Sequence, residues 1–435
     1  MKAREAAVRA LLACETRGAW SDAYLNSLIR RELPDPREAG LAYRICAGVL
    51  QNREACDWYL KPYLRTKLQP AVRAILRTAV YQLAFMDRIP VNAAVNEAVE
   101  LSKRLANPAA ARLTNAVLRR FCDAPKPELP TGDDGESLAL RYSHPREWTD
   151  YFLARLGPEK TRALLQLNNT PAPLCLRVNR RKATVKEALA SLEKDGVIAS
   201  PAWMEGFLRA ESCGDPGSLS AFRQGLVTVQ DPAAALPVFA ADVKPGMRVL
   251  DTCAAPGGKS FLLAECMEDR GELLACDLHE AKLHRIEEGA ARLGISIIRT
   301  MASDARHLPE KLSAPFDLVL ADVPCSGMGV IRKKPEIRYK TREQAAGLPA
   351  IQLDILESAS ACVADGGTLV YSTCTLLREE NEAVTDAFLQ RHPEFSREGF
   401  LLPAPFGECE SGEKTIWPFE FETDGFYLCR MREKK

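Results

Sequence analysis

Two cysteines of the chain stand where side chains could carry out covalent chemistry. Cys325 follows the strand-like apolar run 316–321, and Cys374 follows a second such run, 367–371. In a parallel α/β sheet, the carboxyl ends of the strands form the ligand crevice. Because a thiolate is a strong nucleophile, two thiols at such positions predict covalent catalysis. The alternative, a pair of buried structural thiols, would leave Pro324 and the small residues after Cys325 unexplained.

A glycine-rich segment predicts a cofactor site in the same part of the chain. The segment 249–259 joins a strand-like run to a helix, so its backbone could approach a ligand closely and offer helix N-terminal amides. It matches neither the GxGxxG dinucleotide fingerprint nor the P-loop. The candidate cofactor-binding residues of this segment are Cys253, Ala254, Ala255, Pro256, Gly257, Gly258 and Lys259.

Acidic side chains close four successive strand-like runs. They are Asp251, Asp277, Asp304 and Asp322. A lone buried carboxylate is costly, so packing explains four at one edge poorly. A carboxylate in the place of Asp277 typically binds ribose hydroxyls, and Asp304 could reach an adenine amine. The set predicts a nucleoside-bearing cofactor, and the absent GxGxxG favours S-adenosyl-L-methionine, with S-adenosyl-L-homocysteine as product, over NAD.

Two thiols and a methyl donor match one specific reaction, methylation of C5 of cytosine. This carbon becomes nucleophilic only after a thiolate has added to C6, and a base must later remove the C5 proton to eliminate the enzyme. Addition is easier when an acid supports N3, a role that Asp322 could fill. A second thiol could assist the elimination. The residues alone leave open which of the two thiols attacks.

The elements that must position these residues indicate a multidomain protein. Residues 3–122 repeat apolar side chains at helical spacing, and a segment rich in Pro, Asp and Gly follows at 123–136. Short helices and strands then alternate, and βαβ-like units begin near Val249. We expect an all-α N-terminal domain at 1–128, a small α+β module at 138–240 and a Rossmann-like α/β domain at 241–435.

Composition limits the cellular setting. The 435 residues carry equal numbers of acidic and basic side chains, but the first 130 hold about +8 and the last 195 about −8. The basic N-terminal part indicates a polyanionic partner or, equally well, a helical bundle with solvated arginines. No apolar run reaches the roughly 20 residues of a membrane span. The N-terminus lacks the apolar core of a signal peptide, and the cysteines lack zinc-site spacing, so we expect a cytoplasmic protein without a metal.

A basic stretch directly follows the first cysteine motif and is a candidate RNA contact. Its cations could steer phosphates toward the thiols, although a solvated surface loop is the alternative. The candidate RNA-binding residues are Arg332, Lys333, Lys334 and Arg338.

Three motifs together resemble those of the NOL/NOP/Sun family of RNA cytosine-C5 methyltransferases. They are the segments 251–259, 322–327 and 371–374. The likeness continues outside them, since 89–99 and 114–121 resemble a NusB-type RNA-binding domain and 176–179 and 229–231 resemble the module before the methyltransferase core. Thr375 stands where serine is usual, and Asp424 to Tyr427 replaces a double phenylalanine, but neither difference removes a reacting group.

The resemblance implies roles that spacing leaves open. It makes Cys374 the nucleophile and gives Cys325 the release of the product, and it places the loop 253–259, Asp277, Asp304 and Asp322 at the cofactor. A NusB-like domain ahead of a Rossmann-like class I methyltransferase core implies 16S ribosomal RNA as the substrate, unassembled or partly assembled, with cytosine 967 as the target. No obligate protein partner is evident. The alternatives are transfer RNA or another ribosomal site, and an RNA-binding factor with an inert methyltransferase domain, although no thiol or acid is missing.

Overall fold

A computed structural model describes residues 1–211, 213–312 and 314–434. The chain forms two compact units. We call Met1–Thr170 together with Ile331–Lys340 the helical unit, and Pro171–Val330 together with Thr341–Lys435 the sheet unit. In the described part of the chain, the helices are too short or too polar to cross a bilayer.

The helical unit consists of nine α-helices and two short 3-10 segments among its described residues. The helices are α1 Ala3–Arg17, α2 Ser21–Glu32, α3 Pro36–Gln51, α4 Arg53–Leu60, α5 Pro70–Phe85, α6 Val91–Leu105, α7 Pro108–Asp123, α8 Gly135–Arg141 and α9 Arg146–Leu167. The 3-10 segments are Lys61–Tyr63 and Pro335–Tyr339. The long stretch of helical periodicity is thus confirmed.

Local signals explain where these helices begin and which face they bury. The side chain of Asp35 accepts a hydrogen bond from the Arg37 amide at the start of α3, and Asn107 caps α7 through the Ala110 amide. Helix α5 is central to the packing and buries residues over almost its whole length, from Val72 to Gln82. Apolar side chains from α1, α3, α5, α6 and α7 form one continuous core around it.

The sheet unit begins with a small antiparallel module. Its elements are β1 Leu174–Val178, α10 Val185–Lys194, β2 Ala199–Pro201, β3 Phe207–Ala210, α11 Ser220–Arg223 and β4 Val227–Val229. The strand order is β2-β3-β1-β4. Helix α10 starts in a capping box between Thr184 and Glu187, and Leu192 of α10 joins the apolar core of this module.

The larger part of the sheet unit alternates strands and helices. Its elements are α12 Pro232–Ala241, β5 Arg248–Asp251, α13 Gly258–Cys266, β6 Glu272–Asp277, α14 Glu280–Leu293, β7 Ile298–Ala302, β8 Phe316–Asp322, α15 Arg342–Ala345, α16 Leu348–Ser360, β9 Val363–Thr373, α17 Glu382–Arg391, β10 Phe395–Arg397, β11 Phe400–Leu402, β12 Gly407–Cys409, β13 Glu413–Ile416, α18 Pro418–Phe421 and β14 Phe426–Glu433.

The order of the strands creates a switch point in the main sheet. The order is β10-β14-β9-β8-β5-β6-β7, and β5 pairs in parallel with both β6 and β8. The chain runs outward from β5 through β6 and β7, and then returns to the other side of β5 as β8 and β9. Ligands bind at the carboxyl edge of such a switch point. The carboxyl ends of β5, β8 and β9 therefore mark the place to look for a site.

The structure also extends the expected sheet. The parallel strands expected from the sequence are present. The apolar run 295–300 predicts a strand from Ile295, but β7 begins at Ile298, since the Ile295 amide still closes helix α14 through the Ala290 carbonyl. Strand β14 did not stand out in the sequence. It pairs antiparallel with β9, and its hydrogen bonds span residues 368–373 of that strand.

Candidate active site

The two cysteines meet at the carboxyl edge of β8 and β9. These strands are parallel neighbours, and Asp322 at the end of β8 stands opposite Ser372 of β9. Cys325 lies three residues beyond Asp322 and Cys374 two residues beyond Ser372, so the register brings the loops together. The two Sγ atoms are 3.3 Å apart, within hydrogen-bonding distance. The expectation that the thiols share one sheet edge agrees with this geometry.

An ion pair lies beside the thiols. Lys259, from the first turn of α13, donates a hydrogen bond of 2.7 Å to Asp322 Oδ2, and the Ser372 hydroxyl donates one of 2.7 Å to Asp322 Oδ1. The Lys259 ammonium also lies 4.8 Å from the centre of the Phe426 ring, at the start of β14. Both oxygens of Asp322 are thus fixed, and the lysine of the glycine-rich loop is held at the sheet edge that carries the thiols.

The surroundings of the two thiols differ. The hydrogen bond donated by the Cys325 thiol lowers the pKa of Cys374 against the opposing effect of burial, and the nearby Lys259 ammonium lowers it further. The pKa of Cys325 is raised well above its ordinary value because its thiol donates this bond, because it is buried, and because the Glu380 carboxylate disfavours a second negative charge. The opposite directions of the two shifts make Cys374 the more acidic thiol of the pair.

The glycine-rich loop folds against the end of β6. The Ala254 amide donates to the Cys276 carbonyl at 2.7 Å, and the Ala255 amide donates to Asp277 Oδ2 at 3.2 Å. Gly257 has φ of 107°, and a Cβ atom there would lie 2.5 Å from the Phe261 ring, so only glycine is accommodated. No side chain of the described residues caps α13, which leaves its first-turn amides for a ligand.

The acids at the other strand ends have different partners. Asp251 is buried, accepts a 2.6 Å hydrogen bond from the Ser260 hydroxyl, and has a pKa raised to about 7 by burial. Asp277 also accepts from the His279 amide at 3.0 Å. Asp304 lies two residues beyond β7, where hydrogen bonds from Arg306 lower its pKa to about 2. Asp277 and Asp322 flank the glycine-rich loop directly, whereas Asp304 is held by its own ion pair.

The residues expected at RNA are not equally exposed. Lys334 is exposed, with its ammonium 4.6 Å from the centre of the Trp20 ring, while Arg332 and Lys333 are half-buried. Arg338 is fully buried, and its guanidinium donates to backbone carbonyls of the helical unit, including those of Ser143 at 3.1 Å and Asn168 at 3.2 Å. The expectation of RNA contact is therefore wrong for Arg338, because its buried guanidinium donates its hydrogen bonds inside the helical unit.

Two short motifs of the small module support the site from behind. Arg177 of β1 donates to Gln230 Oε1 at 2.6 Å and pairs with Glu265 of α13, the helix that carries Lys259. The Asp231 carboxylate accepts hydrogen bonds from the Thr423 hydroxyl and the Asp424 amide, just before β14. These contacts give a structural reason for the segments 176–179 and 229–231.

Two glycines that sequence reasoning passed over close the thiol loops against β14. The Gly329 amide donates to the Cys374 carbonyl at 2.9 Å, and the Gly425 amide donates to the Gly329 carbonyl at 2.7 Å. A Cβ atom on Gly329 would lie 2.2 Å from the Gly425 carbonyl oxygen. Glu380 and Asn381, which contact both loops, were also missed. Their only signal in the sequence is that polar residues closely follow the Cys374 motif.

Comparisons with known proteins agree with this architecture. The profile of the 16S rRNA methyltransferase RsmB/F family matches residues 238–432. The NusB family profile matches residues 1–123, and the ferredoxin-like domain of RsmF/B-like methyltransferases matches residues 144–209. The expected order of a NusB-like domain, a small α+β module and a methyltransferase core is confirmed, while the boundaries 1–128, 138–240 and 241–435 stay predictions.

Similar proteins cover almost the whole chain. The probable ribosomal RNA small subunit methyltransferase B of Bacillus subtilis (strain 168) is 37% identical, over 99% of this chain and 98% of that protein. Ribosomal RNA small subunit methyltransferase B of Pseudomonas putida is 36% identical with the same coverage. The crystal structure of a methyltransferase homolog from Pyrococcus horikoshii superposes with a TM-score of 0.58 and 28% identity, over 68% of this chain and 97% of that one. The chain therefore belongs to the RsmB/F family of 16S rRNA methyltransferases.

Proposed function

We propose that the protein transfers a methyl group from S-adenosyl-L-methionine to C5 of a cytosine in 16S ribosomal RNA, through a covalent bond between Cys374 and C6. The observation that carries this proposal is the 3.3 Å separation of the Cys325 and Cys374 sulfur atoms at one sheet edge. Methyl transfer to a more nucleophilic atom, such as an exocyclic nitrogen or a ribose hydroxyl, needs neither thiol. A pair of thiols beside a cofactor loop favours a carbon that must first be activated.

The differing thiol environments support Cys374 as the nucleophile. Its thiolate adds to C6, and the electron pair of the C5–C6 double bond makes C5 nucleophilic toward the methyl group that S-adenosyl-L-methionine would supply, with S-adenosyl-L-homocysteine as the leaving group. Asp322, held by the hydrogen bond from Lys259, supports the N3 edge of the base during this addition. After methyl transfer a base takes the C5 proton, the C6–S bond breaks, and its electrons return to Cys374. The Cys325 thiol donates its hydrogen bond to the departing sulfur and so promotes release.

The residues around α13 suit S-adenosyl-L-methionine, which supplies an electrophilic methyl group on a sulfonium. The uncapped first turn of α13 offers amides to the carboxylate end of such a ligand. Asp277, at the end of β6, is placed to accept hydrogen bonds from ribose hydroxyls. The loop residues Cys253 to Gly258 would contact the cofactor, and Lys259 and Asp322 would lie between the cofactor and the target base. We keep Asp304 as the residue for the adenine amine.

RNA contact is proposed for three consecutive cations outside the thiol site, of which Lys334 is exposed and the other two are half-buried. Arg332, Lys333 and Lys334 remain candidates for the RNA backbone, and the NusB-like domain would supply most of the affinity. The target base must be unpaired or flipped out so that C5 and C6 can be reached. We expect the free or partly assembled RNA as substrate, and a cytoplasmic location stays a prediction.

Bisulfite sequencing of ribosomal RNA tests this function. Cells that lack this gene should lose one 5-methylcytosine of 16S RNA, expected at position 967, and a plasmid copy should restore it. A plasmid copy carrying Cys374→Ala serves as the control. An unchanged 16S pattern would refute the substrate, and loss of a 5-methylcytosine from transfer RNA or from another ribosomal position would transfer the same chemistry to that target. Loss of no 5-methylcytosine at all would favour an inert methyltransferase domain.

A further inference from the structure

Two consecutive residues, Glu380 and Asn381, lie behind the cysteine loops. They follow a short 3-10 segment, Arg378–Glu380, and precede α17. Glu380 is 1% exposed and Asn381 is fully buried, so both polar side chains are committed to internal contacts. Glu380 forms hydrogen bonds to the Cys325 loop, and Asn381 forms hydrogen bonds to the Cys374 loop.

Glu380 holds both neighbours of Cys325. Its Oε2 atom accepts hydrogen bonds from the Ser326 amide at 2.9 Å and from the Gln352 side-chain amide at 2.8 Å. The same Gln352 amide nitrogen donates to the Pro324 carbonyl at 3.0 Å. The residues immediately before and after Cys325 are thus tied, directly or through Gln352, to a single carboxylate oxygen.

Asn381 holds both neighbours of Cys374. Its side-chain oxygen accepts a hydrogen bond of 2.6 Å from the Thr373 hydroxyl, and its side-chain nitrogen donates one of 3.0 Å to the Thr375 carbonyl. Because this arrangement needs an acceptor and a donor on one short side chain, asparagine suits the position and aspartate does not.

The hydrogen bonds of Glu380 form one clamp on the Cys325 loop, and those of Asn381 form a second clamp on the Cys374 loop. The two clamps are also joined to each other. The hydroxyl oxygens of Ser326 and Thr375 lie 2.7 Å apart, and this hydrogen bond links the two loops directly. The Tyr371 hydroxyl donates to the Glu380 carbonyl at 2.6 Å, which fixes the 3-10 segment to strand β9. The spacing of the two sulfur atoms is therefore set by one connected network.

We propose that Glu380 and Asn381 are positioning residues that fix the distance between the two thiols, and that the Glu380 carboxylate, held against the Cys325 loop by the Ser326 amide, makes the surroundings of the two thiols different. This inference deepens the proposed function and depends on it for its meaning in catalysis. The geometry alone predicts that a change at Glu380 acts first on Cys325, and that a change at Asn381 acts first on Cys374.

The groups that face Cys325 make the charge of Glu380 decisive. They are Cys374, Glu380 and Asp322, and Tyr371 is a further titratable neighbour. Asp322 acts on both thiols and is itself paired with Lys259. The Glu380 carboxylate raises the pKa of Cys325 and the Asp424 carboxylate raises that of Cys374, so a loss of the Glu380 charge should act on Cys325.

The variant Glu380→Gln isolates the charge. Both hydrogen bonds fall on the Oε2 atom, so an amide oxygen in that place can still accept them. Glu380→Ala removes the clamp as well. Glu379→Gln, an exposed position on the same turn, is the matched control for loss of one negative charge. Each variant is treated with iodoacetamide over a range of pH without RNA, and the alkylation of Cys325 and Cys374 is followed by peptide mass spectrometry.

The expected result is that Glu380→Gln moves the alkylation of Cys325 to lower pH, because a carboxylate that opposes its ionisation is gone, whereas Glu379→Gln leaves it unchanged. An unmoved Cys325 profile in a folded Glu380→Gln protein overturns the role of the charge. In turnover with RNA, the rate of product release should begin to fall at a lower pH in this variant than in the wild type, because release needs the Cys325 proton.

The variant Asn381→Ala tests the spacing. We expect diamide to join Cys325 and Cys374 about tenfold more slowly in this variant, relative to the alkylation rate of Cys374, because the loop is no longer held. Diamide takes up the two electrons and two protons released when the sulfur–sulfur bond forms. Unchanged disulfide formation in both Asn381→Ala and Glu380→Ala overturns the clamp.

These measurements remain valid if the proposed function fails. Thiol alkylation and disulfide formation need no substrate, so a protein that forms no adduct with RNA still reports whether Glu380 and Asn381 control the thiols. Failure of adduct formation in the wild type, with the thiol profiles as expected, would count against the cytosine chemistry alone.

Discussion

The sulfur atoms of Cys325 and Cys374 lie 3.3 Å apart, although 49 residues separate them in the chain. The parallel pairing of β8 with β9 produces this approach, since Asp322 and Ser372 stand opposite each other at the ends of the two strands. The pKa of Cys374 is lowered and that of Cys325 is raised, so the two thiols differ in acidity. The following predictions depend on that difference.

The first prediction concerns the two cysteines. Cys374→Ala should lower methyl transfer by about 10⁴-fold or more, because the proposed nucleophile is lost. In the Cys325→Ala variant, Cys374 should still attack the base, but the methylated RNA should be released slowly, so a covalent protein–RNA adduct should accumulate. Denaturing gels with RNA and labelled methyl donor measure both outcomes. Cys122→Ser, an exposed change in the helical unit, is the control and should behave as the wild type. An adduct trapped by Cys374→Ala instead would reverse the assignment.

The second prediction concerns the cation beside the nucleophile. Lys259→Met removes an ammonium that lowers the pKa of Cys374, so the pKa of this thiol should rise and less thiolate should exist at neutral pH. We expect methyl transfer at neutral pH to fall by about 100-fold and to recover partly as pH increases. The rising limb of the pH–rate profile should therefore move to higher pH.

The exposed lysine of the same unit, Lys244, provides the control for this experiment. Lys244→Met removes a cation that pairs with Asp242 at the surface and should leave the pH–rate profile in place. If Lys259→Met lowers the rate equally at every pH, the lysine acts on cofactor or substrate binding and leaves the thiol unaffected.

Much of the site could be predicted from the sequence because its parts are local. The segment 249–259 and the two cysteine motifs each combine a strand end with a short loop, and a parallel sheet places all strand ends on one edge. The sequence indicated that Cys325 and Cys374 share this edge, but their distance depends on the register of β8 and β9. That register is a tertiary property, set by the hydrogen bonds between the two strands.

The errors have equally physical causes. Arg338 lies in a stretch dense in cations, which in sequence is typical of a surface, but buried carbonyls of the helical unit take up its guanidinium. Glu380 was missed because its partners, the Ser326 amide and the Gln352 side chain, lie 54 and 28 residues earlier. Asn381 was missed because it contacts Thr373 and Thr375 across a loop, and no local periodicity records such contacts. Strand β14 was missed because its pairing partner, β9, lies more than 50 residues earlier.

The third prediction separates stability from RNA binding in the segment 331–340. Arg338→Ala should lower the free energy of unfolding by about 3 kcal/mol, because several buried carbonyls lose their donor. Lys334→Ala, at an exposed position, should change it by less than about 0.5 kcal/mol but weaken binding to 16S RNA and reduce its salt dependence by about one ion. Chemical denaturation and RNA titrations at several salt concentrations test both. A stable Arg338→Ala protein with weakened RNA binding would restore the original expectation for this arginine.

The fourth prediction follows from the sulfur distance itself. A disulfide needs the sulfur atoms about 2 Å apart, so a small movement of either loop should allow Cys325 and Cys374 to join. Because the pKa of Cys374 is lowered, its thiolate should add first to the azo bond of diamide, and the Cys325 sulfur should then attack the Cys374 sulfur and displace the reduced hydrazine. Methyl transfer should be lost as the disulfide forms and return after dithiothreitol, while peptide mass spectrometry should find one peptide pair linked through these residues with two hydrogen atoms lost. Loss of activity with both thiols still free for alkylation would instead place the sensitive group elsewhere, among cysteines such as Cys253 of the cofactor loop.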